Sequence, residues 1–429
     1  MPRSVAAAPR DYFYQRGRGT GAGSGSDQQI RLVLRFGGAL DLEVLRRAVR
    51  AVVEEDPILR ARFVEPRPFD ARWEVRALDD AIPPCEVEEA EQGEAAVAAF
   101  LAGLDVRPDG PYFQLRVVRS AGRDTLCLRV DHRLCDGGGS KALVERLADR
   151  YRRVAAGAPL PPPRAGFAPR TLAGLAGREP PPPPDGPPAP RPLTYALPRS
   201  GFANERPAHA VHVLEAAAVA AVRARGKALG ATLTDAVLTA LVRALEPRCT
   251  ARAGEPVTVM ISSDLRSRLP PERRDVLCNL FQGYFPELRA GPARAFEAAL
   301  ADTARAMARL RASFTLEEAL GAEAAFVRTF RQWAGAPDRG PAPAPVDATF
   351  VLLSNVGVLE PERLATGTPP LLDAQLLGTI ALGRELLVCA SSFRGALTLS
   401  IGFCASDVAP DVIHGILART AAELEAFAA

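Results

Sequence analysis

Proline is what most limits how this chain can fold. Between residues 157 and 198 it recurs in runs, at 161–163 and again at 180–184. Proline gives no backbone N–H to a helix or sheet and fixes its own φ, so no packed element absorbs such runs. The stretch reads as an extended crossover, with a proline-rich recognition segment as the lesser alternative. It divides the 429 residues into a first lobe at 1–156, a linker at 157–204 and a second lobe at 205–429. Each lobe is long enough to bury a core of its own.

Hydrophobic periodicity fills in both lobes. In the first, residues 30–36 read as a strand, and Asp41 is placed to cap a helix carrying Leu42, Leu45, Val49 and Val52. Pro57 ends that helix, and residues 58–63 read as a strand. Residues 112–119 and 125–130 flank a hairpin turn at 120–124, and the Gly-, Ser- and Arg-rich residues 15–28 read as a flexible loop. In the second lobe, strands are expected at 209–214, 256–263, 348–355, 385–391 and 396–403. Thr234 is expected to cap a helix bearing Val237, Leu238, Leu241, Val242 and Leu245, and a helix over 410–427 closes the chain. No repeat of fixed period is visible. The fold class is mixed α/β.

Composition narrows the function. A hydrophobic share of 48% with 24% charged residues suits a soluble globular protein. A net charge of +3 gives no reason to expect nucleic-acid binding. Only Lys141 and Lys227 are lysines among 53 basic residues, a bias that points to coding composition rather than to an arginine-rich binding surface. Seven cysteines, odd in number and without C-x-x-C spacing, argue against a disulfide framework or zinc site and for a reducing cytoplasm. No signal peptide or membrane span is expected, because no apolar stretch is long enough.

The chemistry gathers at Asp131-His132-Arg133-Leu134-Cys135-Asp136-Gly137. Residues 125–130 before it read as a strand, and the helix after it carries Leu143, Val144, Leu147 and Tyr151 on one face. His132 thus sits where a strand gives way to a helix-opening loop, a common place for a working side chain. Histidine suits general base catalysis because its ordinary pKa lies near the working pH. Asp136 could orient His132 as in a triad. Gly137 to Gly139 permit a tight turn that exposes N–H groups at a helix start. Cys135 admits a covalent mechanism only if its thiol is activated. His209 and His212 are no metal pair, since positions three apart on a strand face opposite sides; no metal is expected.

Several segments together resemble nonribosomal peptide condensation domains: residues 32–49, Glu55-Asp56-Pro57-Ile58-Leu59-Arg60, the His132 motif, Asp264-Leu265-Arg266, Asn279-Leu280-Phe281 and Ser354-Asn355-Val356-Gly357. The wider group is the chloramphenicol-acetyltransferase-like superfamily, which includes polyketide-associated acyltransferases and alcohol acetyltransferases. The resemblance implies a V-shaped pseudo-dimer of two similar lobes with an inter-lobe tunnel. It implies acyl transfer from a thioester, coenzyme A or a phosphopantetheinyl carrier protein, to a small-molecule hydroxyl or amine, with His132 as general base and hydroxyl acceptors slightly favoured. Asp136 would then pair with Arg266 and hold the loop, and a side chain at Gly137 would crowd the acceptor. Ser354 and Asn355 become candidates for contacting the oxyanion or substrate. Asp131 stands where the family often has a first, non-catalytic histidine. No permanently bound cofactor is implied, and a free-standing cytoplasmic monomer is the default. The alternative is a catalytically silent scaffold that docks a carrier.

Overall fold

The computed structural model describes residues 4–16, 27–67, 70–105, 107–182, 192–252, 254–289, 294–335 and 347–429. Residues 17–26 of the expected flexible loop and 183–191 of the proline-rich stretch lie outside the described residues. The first half contains helix α1 (Pro9–Arg16), strand β1 (Gln29–Phe36), helix α2 (Leu42–Glu55), strands β2 (Cys85–Glu89), β3 (Phe113–Ser120) and β4 (Arg123–Asp131), and helix α3 (Gly137–Ala155). The second contains β5 (Pro207–Leu214), α4 (Leu233–Ala244), β6 (Val259–Asp264), β7 (Phe281–Tyr284), α5 (Phe296–Ser313), β8 (Ala348–Val358), β9 (Leu371–Leu377), β10 (Glu385–Phe393), β11 (Ala396–Cys404) and α6 (Pro410–Ala428).

Local chemistry explains where these elements begin and end. The Asp41 carboxylate accepts from the N–H groups of Glu43 (2.9 Å) and Val44 (3.1 Å), capping α2. The strand expected at 58–63 starts later. Asp56 caps a 3₁₀ turn over Pro57–Arg60, and only Ala61–Val64 is extended. The β3–β4 hairpin is tighter than its polar residues suggest. Ser120 pairs with Arg123, leaving a two-residue turn in which Ala121 and Gly122 both take positive φ, +47° and +73°. The cap of α4 is Thr232 rather than Thr234. Thr232 Oγ1 accepts from Asp235 N, and the Asp235 carboxylate accepts from Thr232 N, a reciprocal capping box that a single-residue reading passes over.

Two main sheets carry the fold. The five-stranded sheet runs β9-β1-β4-β3-β2, and the seven-stranded sheet contains the path β7-β6-β8-β10-β11-β5. In the second sheet, β6, β8 and β10 are parallel, so both faces need cover. Helices α4 and α6 bury Leu238, Leu241, Ile416 and Leu424 in a core with Leu399 and Ile401 of β11. The first sheet packs on α2 and α3 through Leu32, Leu128, Val49 and Leu143.

The halves interpenetrate. Strand β9, from the second half of the chain, closes the edge of the first sheet by pairing antiparallel with β1. The crossover also contributes to the interior. Leu172 and Leu175 are buried with Leu265, Leu280 and Phe314, and Tyr195 pairs with Thr349 of β8.

Leu376, 1% exposed on β9, tests this exchange. Leu376→Ala is expected to cost about 2–5 kcal/mol in urea unfolding. A cost below about 0.5 kcal/mol, the range of surface changes, would show that β9 does not seal the first core.

Candidate active site

Strand β4 ends at Asp131 and α3 begins at Gly137, so the His132 motif forms the connecting loop. His132 N donates to Gln28 O at 2.8 Å, continuing the β1–β4 pairing by one residue. The imidazole is half-buried and stacks on the Tyr14 ring of α1, with centroids 3.8 Å apart and planes 21° apart. Phe281 of β7 stands edge-on to it at 6.2 Å. Burial holds the imidazole pKa below its ordinary value, and the negative charge of Asp136 offsets part of that.

An asparagine, not an aspartate, orients His132. Its Nδ1 lies 3.0 Å from Asn279 Oδ1. The amide of Asn279 cannot be turned the other way, because its Nδ2 donates to His132 O (2.8 Å) and to Asp11 Oδ1 (3.3 Å). Its oxygen therefore faces the ring, and the neutral imidazole must carry its hydrogen on Nδ1. Nε2 keeps the lone pair. That is the tautomer a general base requires.

Asp136 is fully engaged elsewhere. Its Oδ1 accepts from Gly139 N (2.9 Å), capping α3, and pairs with Arg266 Nη1 at 2.8 Å; its Oδ2 accepts from Leu280 N at 2.6 Å. Arg266 also contacts Asp264 Oδ1 (3.1 Å) and donates to Cys278 O (2.7 Å), and the two flanking carboxylates push its pKa up. Asp136 thus joins the motif loop to the second half of the chain and makes no hydrogen bond to His132. The triad geometry considered from sequence is absent among the described residues. Asp131 points to the other face of β4, where both carboxylate oxygens meet the Arg133 guanidinium (2.9–3.0 Å).

The glycines are explained by close approach. A Cβ on Gly137 would lie 2.8 Å from Val356 Cγ1, and one on Gly138 would lie 2.6 Å from both Arg266 Nη1 and Asp264 Oδ2. The end of β8 therefore abuts the start of α3, and Lys141 Nζ donates to Val358 O at 2.7 Å. Ser354 and Asn355 precede that contact. Ser354 Oγ accepts from Ser262 Oγ (2.9 Å). Asn355 Nδ2 donates to Thr234 Oγ1 (2.8 Å), and its Oδ1 accepts from Gly357 N (2.9 Å) across a bulge in the β8–β10 pairing. Neither hydrogen-bonds His132.

Cys135 is buried beside Ser140, and burial pushes its thiol up to about 12, so it offers no thiolate near neutral pH. His209 is half-buried against Gly378 O (3.1 Å), and desolvation pushes its pKa down to about 3. Among the described residues no group of His, Cys, Asp and Glu is arranged to hold a metal ion, and no helix is long and apolar enough to cross a membrane.

The residues that sequence reasoning missed lie behind Asn279. Asp11 of α1 forms a bidentate pair with Arg170 of the crossover, at 2.6 and 2.9 Å. The same carboxylate accepts from Trp73 Nε1 (3.0 Å), Ala8 N (3.1 Å) and Asn279 Nδ2. Arg170 in turn donates to the carbonyls of Arg133 (3.1 Å), Leu134 (2.9 Å) and Leu277 (2.7 Å). Asn279 was visible as part of a family-like segment. Asp11, Tyr14 and Arg170 carry no local signal, being polar or aromatic residues whose partners are far away in the chain.

With this geometry in hand, similarity to known proteins takes on structural meaning. The family model for the Condensation domain matches residues 23–168. Over 98% of its length the chain superposes on polyketide synthase associated protein 5 from Mycobacterium tuberculosis, covering 96% of that chain with a TM-score of 0.67 and 17% identity. For the TRI3 trichothecene 15-O-acetyltransferase from Fusarium sporotrichioides the values are 99% and 96% coverage, TM-score 0.71 and 14% identity. For the first condensation domain of the CDA synthetase they are 100% and 97%, 0.68 and 16%. No curated protein matches the chain. Over nearly its whole length the chain thus shares the fold of these condensation and acetyltransferase structures.

Asp136→Ala is expected to cost about 3–5 kcal/mol in denaturant unfolding, because it removes one partner of a buried ion pair. A cost within about 0.5 kcal/mol would mean that Asp136 does not hold the loop.

Proposed function

We propose that this protein is an acyltransferase that moves an acyl group from a thioester to a hydroxyl or amine, with His132 as general base. The observation that carries the reading is the Asn279 hydrogen bond, which fixes the hydrogen on Nδ1 and leaves Nε2 basic. The support from likeness is one of fold: the similar structures include a 15-O-acetyltransferase and a condensation domain.

The chemistry follows from the tautomer. The acceptor's O–H or N–H gives its proton to His132 Nε2 as the oxygen or nitrogen attacks the thioester carbonyl carbon. The carbonyl π pair moves to oxygen, giving a tetrahedral oxyanion. As the intermediate collapses the C–S bond breaks, and the departing sulfur takes the proton back from Nε2. The imidazolium formed in between is disfavoured by burial and favoured by the negative field of Asp136. The stacked Tyr14 ring and the Nδ1–H bond to Asn279 keep the ring from rotating. Donors of the coenzyme A or phosphopantetheinyl carrier type both present the thioester this step requires. Ser354 and Asn355, on the strand whose Val356 meets Gly137, are the candidates for contacting the oxyanion or substrate.

Three outcomes test the reading. In thiol-release assays with acyl-coenzyme A and acyl-carrier donors, His132→Ala should lower acceptor-dependent turnover by about 10²–10⁴ in a folded protein. Unchanged turnover would remove His132 from the mechanism, and carrier binding without product over many acceptors would favour a scaffold. A base must be unprotonated, and burial lowers its pKa, so the acid limb of kcat/KM should fall at a pH below the ordinary histidine value of about 6.5. A limb above that value would mean that another group titrates. Asn279→Ala should lower kcat with little change in KM, since it frees the tautomer without touching the acceptor; an effect on KM alone would place Asn279 in binding instead.

A further inference from the structure

The sheet that carries β6, β8 and β10 buries one face and leaves the other half-open. Val259, Val351, Leu353 and Leu386 point into the core of the second half. Alternation sends Met260, Phe350, Leu352, Glu385 and Leu387 to the opposite face, and each of them is only half-buried. That face is turned toward the first half of the chain. Cys389, in register with Ser354, packs into the first core, and Phe281, in register with Asp264, stands edge-on to His132. Glu385 occupies the far end of the face, in register with Phe350, which lies four residues and about 13 Å along β8 from Ser354. Met260, Leu352 and Leu387 form an apolar row between the two ends.

Among the described residues nothing hydrogen-bonds the Glu385 carboxylate or pairs with it, and its oxygens stay accessible. The nearby cations are directed elsewhere. Arg199 donates to the Glu385 carbonyl (3.3 Å), and Arg384 stacks on Phe202 at 5.4 Å. Desolvation alone pushes the Glu385 carboxyl up to about 7, as happens where no opposite charge offsets burial. The charge of Glu385 still reaches the His132 end. Burial pushes the Tyr14 hydroxyl above its ordinary pKa, Arg10 opposes this, and the negative charges of Asp136 and Glu385 add to it. A carboxylate drawn out of water without a partner costs free energy that a ligand cation would recover. We propose that Glu385 is a specificity residue, and that the substrate lying along this face carries a protonated amine. Its reacting end meets His132, an apolar stem covers Met260, Leu352 and Leu387, and its ammonium pairs with Glu385, where Phe350 offers an aromatic neighbour. The proposal rests on the acyl-transfer reading for the reacting end alone. The ammonium belongs to the acceptor or to the acyl chain, and titration tells the two apart.

Calorimetric titration reads binding without turnover. One arm uses the amino alcohols from 6-amino-1-hexanol to 12-amino-1-dodecanol, each beside the diol of equal length. The other uses the corresponding ω-aminoacyl-coenzyme A thioesters beside their ω-hydroxyacyl counterparts. In at least one arm the wild type should bind an ammonium compound about 10-fold or more tightly than its neutral partner, the worth of a hydrogen bond between charged groups. The arm that shows the preference identifies the substrate that bears the amine. Glu385→Gln keeps the shape and removes the charge, so it should bind the ammonium compound as weakly as the neutral one. A folded Leu387→Trp should weaken both by obstructing the stem. The proposal is overturned if neither arm shows the preference in the wild type, if Glu385→Gln keeps it, or if Leu387→Trp leaves binding unchanged. Failure of the acyl-transfer reading shows elsewhere, as unchanged turnover of His132→Ala, and leaves this titration standing.

Discussion

The interaction on which the rest of the site depends is the buried ion pair between Asp11 and Arg170, whose side chains are 0% and 4% exposed. Two charges withdrawn from water must find each other and satisfy their remaining donors and acceptors, or the fold loses several kcal/mol. Here every such need is met by part of the framework around His132. The aspartate takes hydrogens from Ala8, Trp73 and Asn279, and the arginine serves the carbonyls of Arg133, Leu134 and Leu277. The pair therefore ties the N-terminal helix, the crossover, the His132 loop and the segment before β7 into one unit. Displacing any of them would strand a charge.

From this clamp the chemistry of His132 follows in two steps. Asp11 fixes the Asn279 amide, and Asn279 fixes the imidazole hydrogen. A neutral amide at Nδ1 supplies orientation without the full negative charge that would raise the histidine pKa and hold it protonated. Asp136 lends that charge from farther away, while its own oxygens stay committed to the α3 cap, Leu280 and Arg266. Orientation and electrostatics are thus divided between two residues, where a catalytic triad would place both on one carboxylate.

Much of this architecture is legible in the sequence. Local periodicity marks β1, α2, the β3–β4 hairpin and α6 to within a few residues, because each is decided by neighbours along the chain. The boundaries that differ were set by reciprocal or competing contacts. Thr232 caps α4 because Asp235 answers it, and Asp56 turns Pro57–Arg60 into a 3₁₀ segment before the strand begins. The motif itself identifies His132, Asp136 and Gly137 as a loop between strand and helix. The family-like segments bring in Arg266, which meets Asp136 at 2.8 Å. Asp131, which looks in sequence like a lost histidine, lies on the other face of β4 in a pair with Arg133, as alternation along a strand requires.

The sequence by itself therefore determined β1, α2, the β3–β4 hairpin, α6 and the residue types of the motif loop, since hydrophobic spacing and capping within a few positions mark them, whereas β2, β7, β9 and α5 emerged only in the structure. Tertiary structure alone decided that β9 completes the first sheet, that an asparagine 147 positions away orients His132, and that a crossover arginine holds an aspartate 159 positions distant. No local pattern encodes these contacts. They arise where the two sheets and the crossover bury polar groups together, and each group accepts whichever partner the packing brings within reach.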